Sequence, residues 1–297
     1  MQADTMRGVF PILITPFDEH ARIDEDSLRN LVEFNLQAGV HGLGIALGSE
    51  VFKLSEAERE HMTRSVVDQA NGRVPVVVNT GAAGTDLAVL YSQRAEQCGA
   101  DALMIMPPNF MPAGPDEALE YFRAISDAVS IPIFIQDTAS APVSAGLARK
   151  IAETCPQVRY IKVESLPVTA KVADMVAQAG DVLTVFGGAG GGYFIEEMRR
   201  GSLGTMPFCT QPEAFVEVWN LFQRGDERAA RAVFDRTIAP VNRLAAQGVG
   251  LFYAVHKEIL RQRGIIRTAR VRSPAPAMDA LTMRELQQVI DELYHTH

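Results

Sequence analysis

The sequence predicts a closed (β/α)8 barrel with a helical extension at its C-terminal end. Three observations carry that prediction. Eight short apolar, β-branched runs recur at 8–14, 42–47, 74–80, 102–106, 132–136, 158–164, 182–187 and 203–208. Each is followed by a helix-like pattern, and near-continuous apolar strands alternating with helices signal βα units and a parallel sheet. Eight such units within about 225 residues suit a closed barrel better than an open sheet. With 297 residues, 47% of them hydrophobic, the chain can fill one large α/β core.

The helices are legible in order. Residues 24–38 carry Leu28, Leu31, Val32 and Phe34 near a 3.6-residue period and stop at Gly39. Ser55-Glu56-Ala57-Glu58 is a capping box that opens a helix running to about Ala70. Thr85 is placed to cap the next helix, and Gly99 to end it. Pro115-Asp116 and Ser144 begin two more, and the last barrel helix starts near Pro212 and carries the single tryptophan, Trp219. After Gly225 the strand signal ceases. Residues 226–246, 252–263 and 282–294 read as helices, with 267–277 as a connector bearing proline and arginine. Residues 1–225 are therefore read as the barrel and 226–297 as an extension packed on it within the same domain.

Composition narrows the function. A net charge of −8 argues against nucleic acid or an anionic membrane as a partner, while leaving room for an anionic small substrate. Cys98, Cys155 and Cys209 are odd in number and widely spaced, so neither a disulfide framework nor a metal pattern is expected; each reads as a buried or semi-buried thiol. The segment MQADTMRGVF has no apolar signal core and no apolar run nears 18 residues, which points to a soluble cytoplasmic protein. The six histidines are not spaced as metal ligands, and none falls at a strand's C-terminal end.

The chemistry centres on VRYIKVE, residues 158–164. Tyr160, Lys162 and Glu164 alternate with Ile161 and Val163, so on a strand the polar three share one face. Inside a barrel that face confines an amine beside a carboxylate. Desolvation favours the neutral amine, a nucleophile for a carbonyl carbon, and the carboxylate is placed to move protons. A structural ion pair is the competing reading. Among the strand ends only this one contributes a lysine; Lys53, Lys150, Lys171 and Lys257 fall on helices or their approaches, where a solvated face is expected. Gly48-Ser49 after the second strand is either an ordinary turn or a cradle for a carboxylate. Asp137 after the fifth strand is a second rim carboxylate or a local cap. The glycines of residues 187–192 do not match a dinucleotide fingerprint; they let backbone pass close to a small ligand, which makes Gly187 a binding position.

Several motifs in order then resemble a known family: GVFPILITPFDEHARIDEDSL, GSEVFKLSEAERE, GADALMIMPP, IPIFIQD, YIKVES and GSLGTMPF. Together they resemble the dihydrodipicolinate synthase / N-acetylneuraminate lyase family across the whole barrel. The resemblance implies a class I aldolase-type barrel, often a homotetramer. Its lysine, Lys162 here, forms an imine with pyruvate or another 2-keto acid, and no separate cofactor is needed. Where that family has Gly-Thr-Thr-Gly-Glu, this chain has Ala46-Leu47-Gly48-Ser49-Glu50; Gly48 and Ser49 are left to hold the keto acid's carboxylate through backbone amides. Gln136-Asp137 replaces a Tyr-Asn pair, Pro108-Asn109 a Tyr-Tyr pair, and no arginine occurs within residues 138–141. These departures point away from dihydrodipicolinate synthase activity. Met-Pro-Pro, Gln-Asp and Lys-x-Glu resemble instead the 2-keto-3-deoxy-L-arabonate dehydratase branch, whose acid/base falls on Glu164. The expectation is dehydration of a 2-keto-3-deoxy sugar acid, with Gln136 and Asp137 meeting its distal hydroxyls. Pyruvate-dependent aldol chemistry and a non-catalytic keto-acid-binding barrel are the alternatives.

Overall fold

The computed structural model describes residues 6–295. The reading of MQADTMRGVF as free of a signal core falls in part on residues 1–5, outside the described residues. Eight parallel strands run β1 (Gly8–Val9), β2 (Leu43–Ile45), β3 (Val76–Asn79), β4 (Ala102–Ile105), β5 (Ile133–Asp137), β6 (Val158–Val163), β7 (Thr184–Gly187) and β8 (Gly204–Thr205). Their order in the sheet is β1-β8-β7-β6-β5-β4-β3-β2, and Ile12 bridges both Gly44 and Phe208, closing the ring. The predicted (β/α)8 barrel is the fold observed. Seven of the eight strands are shorter than their apolar runs; β5 matches its run in length but is shifted one residue toward the rim, and β7 loses the first residues of its run instead of the last.

Between the strands lie α1 (Glu25–Gln37), α2 (Glu56–Ala70), α3 (Thr85–Gln97), α4 (Pro115–Ala128), α5 (Ala145–Thr154), α6 (Val168–Ala179), α7 (Phe194–Met198) and α8 (Pro212–Gln223). Ser55 caps α2 through a capping box with Glu58, and Ser144 caps α5, as their side chains predict. Gly84 rather than Thr85 is the N-cap of α3. It holds the extended conformation required there, and Thr85 is already the first helical residue.

Strand alternation sorts the core into two shells. Ile133 and Ile135 of β5, Ile161 and Val163 of β6, and Val185 of β7 face outward against the helices. Phe134, Tyr160 and Phe186 face inward with Phe10, Met104 and Met206. Phe134 and Tyr160 stack at 4.3 Å and plug the barrel below the mouth, so the interior is packed rather than hollow.

The extension comprises α9 (Glu227–Val233), which widens over Phe234–Ile238 into α10 (Ala239–Ala245), then α11 (Leu251–Gln262) and α12 (Ala280–Ile290). Val241, Val255, Ile259, Leu286 and Ile290 give it a small core of its own. Polar ties dock it on the C-terminal mouth of the barrel. Tyr253 donates to the Leu47 carbonyl at 2.7 Å, Asn242 to the Gly190 carbonyl at 3.1 Å, and Arg263 to the Thr210 carbonyl at 2.7 Å. Lys257 is fully buried and meets the equally buried Glu50 at 2.5 Å. Among the described residues no helix is long and apolar enough to cross a membrane.

Candidate active site

A cavity of about 400 Å³ opens at the C-terminal ends of the strands, within the range that holds a small metabolite. Lys162 and Glu164 both line it. Alternation on β6 turns Lys162 inward above Tyr160, and Glu164 follows where the strand has just ended. The Lys162 side chain is nearly buried, whereas that of Glu164 is 20% exposed at the cavity wall. The two meet at 3.0 Å between Nζ and Oε1.

Three donors converge on the Glu164 carboxylate. Besides Lys162, the Ala189 N–H reaches Oε1 at 3.1 Å and Gln136 Nε2 reaches Oε2 at 2.9 Å. Gln136 is in turn held by Asn79 Nδ2 on its Oε1 at 3.4 Å. The carboxylate is thereby oriented by groups on β3, β5 and the β7 loop, and its charge is matched by a cation and two dipoles. Gly188 makes this approach possible: a Cβ there would lie 2.4 Å from Glu164 Cγ.

Gly48 and Gln136 line the cavity, but three other expected binding residues do not. Ser49 is fully buried; its hydroxyl donates to the Leu13 carbonyl and accepts from the Ala46 N–H, and its own N–H bonds the Ala46 carbonyl at 2.8 Å. It pins the turn and has no donor left for a ligand. Asp137 follows Gln136 directly, so the strand pleat sends it to the opposite face. There it accepts from Val143 N at 2.8 Å, Ser165 N at 3.0 Å and Lys171 Nζ at 2.6 Å, fastening the β6–α6 loop and not a distal hydroxyl. Gly187 likewise follows the inward Phe186 and faces outward. A Cβ on it would fall 1.7 Å from Glu197 Oε2, so its missing side chain makes room for that acid and not for a ligand.

The lysines also depart from expectation. Lys150 is solvated, but Lys171 is committed to Asp137, Lys53 is largely buried on Glu50, and Lys257 is sealed inside. Burial outweighs the attraction of Glu50 and pulls the Lys257 ammonium down to about 8. Cys98, Cys155 and Cys209 are buried free thiols, and no metal-ligating cluster occurs among the described residues.

A model of the dihydrodipicolinate synthetase family matches residues 5–293. The chain belongs to this family. Its members are lyases acting on small keto acids. The chain is 30% identical over a 300-residue alignment to an L-2-keto-3-deoxyarabonate dehydratase of Azospirillum brasilense, covering 97% of this chain and 94% of that one. It is also 30% identical over 268 residues to a 4-hydroxy-tetrahydrodipicolinate synthase of Pseudomonas aeruginosa, covering 87% and 90%. The crystal structure of a dihydrodipicolinate synthase from Rhodopseudomonas palustris superposes with a TM-score of 0.89 at 26% identity, covering 97% of each chain.

In this dihydrodipicolinate synthetase-family barrel the distal wall of the cavity comes from residues that local sequence reading does not reach. Asn242, Ala245 and Ala246 of the extension and Phe252 of α11 line it together with Met206 and Phe208 of the β8 rim, and Phe252 packs on Phe208 with ring centroids 5.0 Å apart. Asn242 lies more than 50 residues from Gly190, which it contacts, and nothing in the pattern of α10 marks it. Lys162 is the one cation among the described lining residues.

Proposed function

We propose that the chain is a Schiff-base lyase that dehydrates a 2-keto-3-deoxy sugar acid through an imine on Lys162. The observation that carries this reading is the 3.0 Å contact between Lys162 and an oriented Glu164 in an open cavity. Glu164 first takes a proton from the Lys162 ammonium. The neutral amine adds to the C2 carbonyl of the keto acid, and Glu164 returns its proton to the former carbonyl oxygen, which leaves as water to give the protonated imine and a free Glu164 carboxylate. The protonated imine draws electrons from the C3–H bond, so Glu164 can remove that proton and then return it to the departing C4 hydroxyl. Water hydrolyses the imine and frees Lys162, so the net change is loss of one water. Gln136 and the Ala189 N–H hold Glu164 through both transfers. Gly48 is the part of the β2 turn available to the carboxylate end, and Asn242 and Thr138 are further polar residues lining the cavity. No cofactor beyond the lysine enters this chemistry.

The resemblance to a named dehydratase supports this outcome over aldol condensation with a second acidic substrate, for which the cavity wall supplies no further cation. Aldol cleavage would use the same imine. A panel of 2-keto-3-deoxy acids separates the two. Dehydration yields a semialdehyde and no pyruvate; pyruvate release from every active substrate would replace dehydratase by aldolase.

A further inference from the structure

Glu197 of α7 is a fully buried acid behind the wall that carries the catalytic pair. Neither carboxyl oxygen finds a hydrogen-bond partner among the described residues; the Gly188 N–H approaches without reaching bonding geometry. Two consecutive glycines separate it from the site. Gly187 gives its Cβ space to Glu197 and Gly188 gives its own to Glu164, so the two carboxyls flank the same short stretch of backbone. That stretch also lies against β6, where Val163 pairs with Gly187 and Lys162 with Phe186. A carboxylate sealed with no ion-pair partner and no formed hydrogen bond is far costlier than the neutral acid, so the geometry assigns Glu197 a proton.

The charged groups around it agree. Glu164 repels its negative form and Lys162 attracts it, but Lys162 is already engaged by Glu164. Glu196 on its own helix adds repulsion and is paired with Arg231 of α9. On the helices packed against α7, Lys171 is committed to Asp137 and Glu227 to Arg199, while Asp174 and Arg228 are exposed to solvent. Burial first, then repulsion by Glu164 and Glu196, pushes the Glu197 carboxyl up to about 8.

We propose that Glu197 is a positioning residue of the imine site. As the neutral acid it leaves Glu164 the sole anion opposing Lys162, and its ionisation adds a second anion that holds Lys162 as an ammonium. This rests on the imine reading above, and the glycine pair is what lets the acid sit close enough to be felt. The site therefore carries its own alkaline brake, set by a residue that never touches substrate.

The test uses the full-length chain and pyruvate as the probe. The rate of borohydride-trappable adduct on Lys162 is followed from about pH 6.5 to about pH 9 in the parent and in Glu197→Gln, which keeps the shape of the neutral acid. The ratio of variant to parent rates should rise several-fold across that range. Glu197→Leu, which also lacks the charge, should show the same rise, and it stands in if the glutamine variant folds poorly. A flat ratio with adduct present in both chains overturns the role of Glu197 and leaves the imine intact. No adduct in the parent at any pH removes the imine and this role with it. Infrared spectra read the proton directly: the parent should show a neutral-carboxyl band near neutral pH that Glu197→Gln lacks, and its absence would refute the assignment.

Discussion

Replacing Gly188 by alanine should disable proton transfer at the site while sparing the fold. The new methyl would stand 2.4 Å from Glu164 Cγ and 2.8 Å from both Cδ and Oε1. Ordinary carbon contacts are about 3.5–4.0 Å, so Glu164 must retreat by about 1 Å or more. It can do so, because its side chain is one-fifth exposed and the cavity lies open beside it. The stability cost should thus stay near ~1 kcal/mol, the scale of an average substitution. The retreat takes the carboxylate away from Lys162, Gln136 and the Ala189 N–H together. A misplacement of that size costs on the order of 10²-fold, within the roughly 10²–10⁴-fold worth of a positioned general base. Exchange of the pyruvate methyl protons with deuterated water, followed by NMR, measures C3 proton removal without knowledge of the natural substrate. Gly188→Ala should slow exchange about 100-fold yet still form the Lys162 adduct. Exchange at the parent rate would refute the placement of Glu164 as the base.

Other consequences can be checked by unfolding. Asp137→Ala leaves Lys171 without its buried partner and frees two loop amides, so it should cost about 3 kcal/mol in urea titrations. Lys257→Met strands Glu50 without its α11 partner and should cost about 3–5 kcal/mol, loosening the extension from the barrel mouth. Glu197 makes stability depend on pH in a defined direction. Its folded value of about 8 lies above the ordinary 4.5, so between those values the folded chain holds the extra proton and stability falls as pH rises. Parent stability should drop by up to about 1.4 kcal/mol per pH unit relative to Glu197→Gln across that window, read from urea midpoints at about pH 5 and about pH 8.

The barrel was legible because eight apolar runs and their helix caps repeat one unit, and Lys162 with Glu164 because a two-residue spacing keeps both on one face of a strand. The same alternation rule already held the information on Asp137 and Gly187. Each directly follows an inward residue, Gln136 or Phe186, so each had to face the helices if its neighbour faced the cavity. Reading Gln136 and Asp137 as a joint binding pair overlooked that parity. Ser49 is a different case: its hydroxyl could equally bond a ligand or the Leu13 carbonyl, and only the packed turn decides. Lys257 on a helix gave no local sign of burial, because the αL bend that aims Glu50 at it lies some 200 residues earlier. Asn242 and Phe252 reach the cavity through tertiary docking of the extension, and Glu197 becomes notable only once two glycines remove the atoms that would shield it from the site.

The most direct measurement is borohydride reduction in the presence of pyruvate followed by peptide mass mapping. A stable pyruvyl-derived mass increment on the peptide containing Lys162, lost in Lys162→Ala and kept in Glu164→Gln, is the predicted result. Modification of another lysine, or none at all in a folded chain, would contradict the account.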